Sequence, residues 1–269
     1  VRDLWPESAV ALGFLEHPVP IAMSRWLERA LYRSAAAIVV LTRGIERGVL
    51  AGGGTPEQIR FVPNGVDRRW REKLRQARGY AREGAGGQGT VALYLGTINA
   101  SYDFDLILAA ARALPRVSFR FVGGGDRREA VERKAQGLGN VTFLPPIPHE
   151  RLPQLLAGVD MGLVPLRDNP LFQGTLPLKV FELMAAAKPI VASVPAGELS
   201  LLIEESGGGI AVPPGDPSPF IAAIDQLLEH PEKAEEMGRK GEAYVFEHHT
   251  RQRLVEPLVS TIAALTHRS

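Results

Sequence analysis

The chain has 269 residues, 45% hydrophobic and 23% charged, enough for one large or two medium α/β domains with an extensive core. With 31 basic and 30 acidic residues the formal charge is +1, and no long run of either sign suggests a nucleic-acid binder. The absence of cysteine excludes disulfides, thiolate catalysis and zinc ribbons, and no apolar run approaches a membrane span, the longest covering 35–41.

Residues 1–20 carry DLWPES and HPVP, proline-broken sequence that reads as loop. Val1 stands where a methionine would open a complete chain, and 1–3 read as the end of a strand, so a missing N-terminal segment is expected. The stretch 24–33 predicts a helix with Trp26, Leu27, Leu31 and Tyr32 apolar and Arg25, Arg29 and Arg33 on the other side. It reads as a solvated covering helix of an α/β layer more than as a helix lying on an anionic membrane. A strand at 36–41, a helix at 43–51 and a strand at 58–62 follow, an alternation that implies a parallel sheet.

The turn sequence PNGVD at 63–67 ends that alternation, and 68–89, polar and then Gly-rich, reads as a linker. A second alternation begins at once. Strands are expected at 91–95, 118–122, 141–143, 161–164, 190–192 and 209–212, separated by helices at 103–114, 127–136, 149–157, 177–187 and 199–205. Six strands with intervening helices predict one doubly wound parallel sheet. After Pro217 the chain reads as helix almost to its end, with breaks at Pro231 and Thr250.

The helix at 177–187 is apolar on nearly every side, which places it inside a core, yet it carries Lys179 and Glu182 at i and i+3 on one face. Either charge is costly to bury without a partner. Pro177 suits the first helical position, leaving free backbone donors and a partial positive charge at the N-terminus. A phosphate there would satisfy the donors and Lys179, and a diol could donate to Glu182, which together describe a nucleotide. The competing reading is an internal Lys179–Glu182 ion pair.

Ligands of open parallel sheets bind beyond the carboxyl ends of the strands. Gly96-Thr97, Gly123-Gly124-Gly125 and Pro145-Pro146-Ile147 stand at three of those ends, and the Lys179 helix follows a fourth. The glycines lack both GxGxxG spacing and a Walker lysine, so their convergence is the signal. Asp103 and Asp105 suit a helix start rather than a metal, His248-His249 reads as a solvated pair at a helix break, and Glu198 reads as a helix-start residue.

Several ordered segments resemble the C-terminal half of family 4 glycosyltransferases of the GT-B fold. They are VPNGVD (62–67), YLGTINASYDFDLILAAARAL (94–114), FVGGGDRREAV (121–131), NVTFLPPIPHERLPQLLAGVDMGLVPL (140–166), GTLPLKVFELMAAAKPIVASVPAGE (174–198) and GGGIAVPPGDP (207–217). RDLWPES (2–8) is similar to the subgroup that builds bacterial surface polysaccharides, with colanic acid and O-antigen fucosamine transferases among its members.

The resemblance implies two Rossmann-like domains facing across a cleft. Residues 1–67 would be part of the acceptor-side domain, 90–245 the complete sugar-nucleotide domain, and 246–269 a helix crossing back. It implies a retaining, metal-independent glycosyltransferase of hexosyl or N-acetylhexosaminyl type with no cofactor. The donor would be a nucleotide-sugar, a UDP-sugar by expectation, and the acceptor a lipid-linked saccharide, in the cytoplasm with peripheral contact to the inner membrane face. By resemblance Glu182 accepts from the ribose, and Thr175, Leu176, Pro177 and Lys179 hold the diphosphate, with Gly96, Thr97 and the Gly123-Gly124 loop near it. The backbone at Pro146 and Ile147 would meet the base, and Asp3 and Glu7 would be acceptor-side residues. The fragment alone would be inactive.

Two departures stand out. Many relatives carry a Glu-x7-Glu pair, whose first position here is Gly174, and many carry cations after the first strand, where this chain reads INASYD. A nucleotide-sugar-binding module without turnover, or a UDP-sugar 2-epimerase of the same fold, are the alternatives.

Overall fold

The structure is a computed structural model that describes residues 1–11, 13–84 and 89–266. Its elements in order are α1 (Glu7–Ala11), α2 (Pro18–Ser34), β1 (Ile38–Val40), α3 (Arg43–Ala51), β2 (Ile59–Phe61), α4 (Trp70–Gly84), β3 (Val91–Leu95), α5 (Phe104–Ala113), β4 (Ser118–Val122), α6 (Arg128–Lys134) and β5 (Val141–Leu144). Then follow α7 (Leu152–Ala157), β6 (Met161–Pro165), α8 (Leu178–Ala185), β7 (Ile190–Ser193), α9 (Glu198–Ser206), β8 (Gly209–Val212), α10 (Pro217–Glu229), α11 (Pro231–His248) and α12 (Arg251–Thr266).

The larger sheet has the order β5-β4-β3-β6-β7-β8 and is parallel throughout. β3, β6 and β7 are buried along their whole length, as their Val-, Leu- and Ile-rich sequences require of strands covered on both faces. The order reverses between β3 and β6, the switch point at which doubly wound sheets leave a crevice. Two apolar layers fill the space on either side. One holds Leu93, Leu95, Val164, Phe181 and Met184, the other Ala92, Tyr94, Phe119, Phe121 and Ile224. A smaller parallel pair, β1 and β2, forms the second sheet.

The two sheets are tied together by polar contacts of long sequence separation. The Glu198 carboxylate accepts from the Arg43 amide at 3.0 Å and from the Gly44 amide, so a residue starting α9 also caps α3. Asn64 Nδ2 donates to the Leu176 carbonyl at 3.1 Å. The chain then returns: Val66 pairs with Thr250, and Arg60 Nε donates to Thr261 Oγ1 of α12 at 3.2 Å.

Four expectations change. HPVP is not loop: Pro18 and Pro20 sit in the first turn of α2, where a missing N–H costs nothing, and His17 caps it by accepting from the Val19 amide. Residues 7–11, also expected as loop, form α1. The apolar stripe of α2 faces out, with Trp26 71%, Leu27 53% and Leu31 58% exposed, and Tyr32 is the buried member. Most of the expected linker 68–89 is α4, whose Trp70 and Leu74 belong to the larger core and whose helix packs on α7. Polar composition hid a helix with a narrow apolar stripe. The Gly-rich positions 85–88 lie outside the described residues, as do 267–269 of the expected C-terminal helix, whose first residues, 246–248, close α11.

If α4 is core rather than linker, Leu74→Ala should lower unfolding stability by about 2–5 kcal/mol, the range for a truncated buried leucine. Urea denaturation of the wild-type and variant chains checks this; a change within about 0.5 kcal/mol is what a linker position would give.

Candidate functional site

The site is built at the carboxyl rim of the larger sheet. β3 ends in Gly96, β4 in Gly123 and Gly124, β5 in the Pro145–Pro146 run, and β6 leads to α8. Gly96 and Gly123 both have positive φ, 119° and 152°. A Cβ on Gly123 would strike the Gly96 carbonyl oxygen, so those two loops touch backbone to backbone, and one on Gly124 would lie 3.4 Å from the Pro146 ring. Thr97 is exposed beside them, and its carbonyl accepts from the Tyr94 hydroxyl at 2.6 Å. Gly96, Thr97, Gly123, Gly124 and Pro146 are thus brought together, as expected.

α8 begins one residue later than expected. Pro177 is its N-cap and Leu178 its first helical residue. Every residue from Lys179 to Ala185 is buried, including both charges. The ion pair of the competing reading is not made: among the described residues Lys179 Nζ has no hydrogen-bond partner. It lies over two aromatic faces, 4.2 Å from the Tyr94 ring centroid and 4.0 Å from that of Tyr102, a cation–π arrangement. A Cβ on Gly96 would stand 3.1 Å from the ammonium and press on it, and the φ of 119° favours glycine there in any case. Burial pulls the Lys179 pKa from 10.5 down to about 7, the Glu182 charge opposing.

Glu182, 7% exposed, pairs instead with His149, Oε1 to Nε2 at 3.1 Å. Burial raises its pKa, while His149, Arg251 and Lys179 oppose the rise. The His149 ring stacks on Trp70, with centroids 4.9 Å apart and planes 30° apart. Nearby, His249 packs on Phe181 at 4.8 Å, and its Nδ1 lies 3.2 Å from the Asn64 carbonyl oxygen. Burial lowers the His249 pKa, so only His248 of the expected solvated pair is exposed.

Beside the α8 N-terminus opens a cleft of about 460 Å³ between the two sheets. Thr175, Leu176, Pro177 and Tyr102 line it from one side and Asp3, Arg47 and Asn64 from the other. Glu7 is not among its lining residues; it is held by Arg25 at 2.9 and 3.3 Å. Gly174 is pressed against Gly44: a Cβ on it would lie 2.7 Å from the Gly44 Cα. At this position, where the resemblance leads to the expectation of a carboxylate, no side chain fits while these segments touch. Asp103 caps α5 by accepting from the Asp105 amide, as expected. His149, Trp70, Tyr94, Tyr102 and Asn64 carried no sequence signal of a site; only the fold assembles them.

Residues 89–230 match the family described as glycosyl transferases group 1, and residues 1–65 match a glycosyl transferase 4-like domain. The chain belongs to the family 4 glycosyltransferases of the GT-B fold. Among curated relatives, the D-inositol 3-phosphate glycosyltransferase of Segniliparus rotundus is 28% identical over 242 residues, covering 85% of this chain and 53% of that protein. The alpha-D-kanosaminyltransferase of Streptomyces kanamyceticus is 28% identical over 228 residues, covering 81% and 57%. The chain thus spans little more than half the length of these relatives.

Among solved GT-B structures, the Thermosynechococcus elongatus sucrose-phosphate synthase superposes with a TM-score of 0.79 at 22% identity, over 97% of this chain and 66% of that one. Anabaena HepE, in complex with UDP and glucose, gives 0.73 at 19%, over 91% and 68%. The likeness extends through both sheets of the family 4 chain.

Because the unfolded chain binds the Lys179 proton up to pH 10.5 and the folded chain releases it near pH 7, stability rises with pH between those values. The penalty is full below pH 7. Lys179→Met should therefore raise the thermal midpoint of the ligand-free protein, most below pH 7 and progressively less towards pH 10. Scanning calorimetry across that range tests this, and an unchanged or lowered midpoint at pH 6 would contradict it.

Proposed function

We propose that this chain carries the donor half of a retaining glycosyltransferase that moves a hexosyl or N-acetylhexosaminyl group from a nucleoside diphosphate, UDP in our reading, to a saccharide or lipid-linked acceptor. The observation that carries the reading is the buried, unpartnered Lys179 ammonium at the first turn of α8, beside Gly96 at the sheet's switch point. A diphosphate at this turn would supply the acceptor oxygens that Lys179 and the free N–H groups of α8 lack.

In this reading Thr175, Leu176, Pro177 and Lys179 hold the diphosphate, and Gly96 and Thr97 approach it from the other side with the Gly123-Gly124 loop. Glu182 accepts from the ribose, and the backbone at Pro146 and Ile147 meets the base. As the bond from the sugar to the β-phosphate oxygen breaks, negative charge grows on the leaving diphosphate, and preorganised donors there lower the barrier. Asp3 stands on the acceptor side of the cleft, with residues 1–67 as the acceptor-side unit. The relatives named above are glycosyltransferases, and HepE was crystallised with UDP, which favours turnover over the binding-module and epimerase readings.

We include in the proposal that no metal ion takes part. Polysaccharide assembly at the inner membrane face is the setting it suits. Transfer from a UDP-sugar by the full-length protein should then survive excess EDTA, and loss of rate on chelation would overturn that clause. Titration calorimetry should show UDP binding that Glu182→Ala weakens by about tenfold or more, as expected when hydrogen bonds to a charged group are lost. A UDP affinity indifferent to that substitution would remove the donor-site assignment.

A further inference from the structure

Glu182 is fixed from outside its own helix. Its Oε1 is taken by the His149 ring at 3.1 Å, and among the described residues no hydrogen bond is made to Oε2. A buried carboxylate is pushed towards its neutral, protonated form, in which it is a poorer acceptor. The imidazole is the closest group opposing that tendency, and Arg251 and Lys179 act on Glu182 by charge alone.

The imidazole is itself held. His149 opens the 3-10 turn His149–Arg151, three residues after Pro146, and its ring lies on the buried indole of Trp70, which α4 brings in from the other side. The indole fixes one face of the ring while the side chain stays 48% exposed, so the contact with the Glu182 carboxylate is made from a restricted direction and less side-chain freedom is lost when a ligand arrives.

We propose that His149 is a positioning residue for the nucleotide: it holds the Glu182 carboxylate charged and rotated so that its second oxygen is presented to a vicinal diol, and thereby makes the site select ribonucleotides over their deoxy counterparts. This rests on the donor-site reading of Glu182. It adds a residue that acts only through that carboxylate and on one part of the ligand, the 2′ and 3′ hydroxyls. Chain order places His149 close to the segment proposed to meet the base, so the two ends of the nucleoside would be registered by one short loop.

The test is calorimetric titration of the full-length protein with UDP and with 2′,3′-dideoxy-UDP. Two variants separate hydrogen bonding from packing. His149→Phe keeps a ring on Trp70 without an N–H, and His149→Gln keeps a donor without the ring. The expected result is that His149→Phe weakens UDP by about tenfold, the size of one hydrogen bond to a charged group, while leaving 2′,3′-dideoxy-UDP within about twofold, and that His149→Gln stays within about threefold of wild type for both.

Equal losses for the two nucleotides in His149→Phe would make the role merely structural and overturn the proposal, as would no loss for either. The donor-site reading fails separately, and takes the proposal with it, if wild type does not bind UDP, binds the dideoxy form equally well, or binds UDP unaffected by Glu182→Ala.

Discussion

The structure depends on burying two opposite charges on a helix that is otherwise all core. α8 has to sit between the larger sheet and α11 to cover Phe181, Leu183 and Met184, and Lys179 and Glu182 go in with them. Four residues' length of shared face would let them pair, yet they diverge: Lys179 turns to two tyrosine faces and Gly96, Glu182 to His149. An ammonium with no hydrogen bond is among the more expensive things a core can hold. Its retention accords with the proposed donor site, in which a diphosphate would bring acceptor oxygens to this turn.

A second constraint is contact between the sheets. The Glu198 carboxylate caps a helix that lies 154 residues earlier, and Gly44 and Gly174 meet with no room for a side chain on either. These contacts narrow the cleft and leave no room for a side chain at Gly174. Beside Gly174 the cleft is therefore walled by backbone from both sheets, with Asn64 and the Val66–Thr250 pairing fixing their approach.

Sheet strands and glycine loops of the larger sheet were legible in the sequence because each is a short apolar run with a glycine or proline at its end. The limits of β3, β4 and β8 come out as expected, and Lys179 and Glu182 stood out because charges on an all-apolar helix are conspicuous. α2 and α4 were misjudged for opposite reasons. In α2, prolines mark a helix start rather than a loop, and the conspicuous stripe of Trp26, Leu27 and Leu31 is exposed. In α4, Trp70 and Leu74 are buried among polar neighbours that made the stretch look like linker.

Sequence by itself determined the doubly wound sheet, the order of its loops and the two charges that a core helix must accommodate, because hydrophobic period and turn residues are local signals. Tertiary structure alone decided what meets those charges. That His149 faces Glu182, that Tyr94 and Tyr102 flank Lys179, that Gly44 fills the place beside Gly174, and that Glu198 serves two helices all depend on residues from 33 to 155 positions apart. Such pairings follow from how layers stack, and no local pattern of residues encodes them.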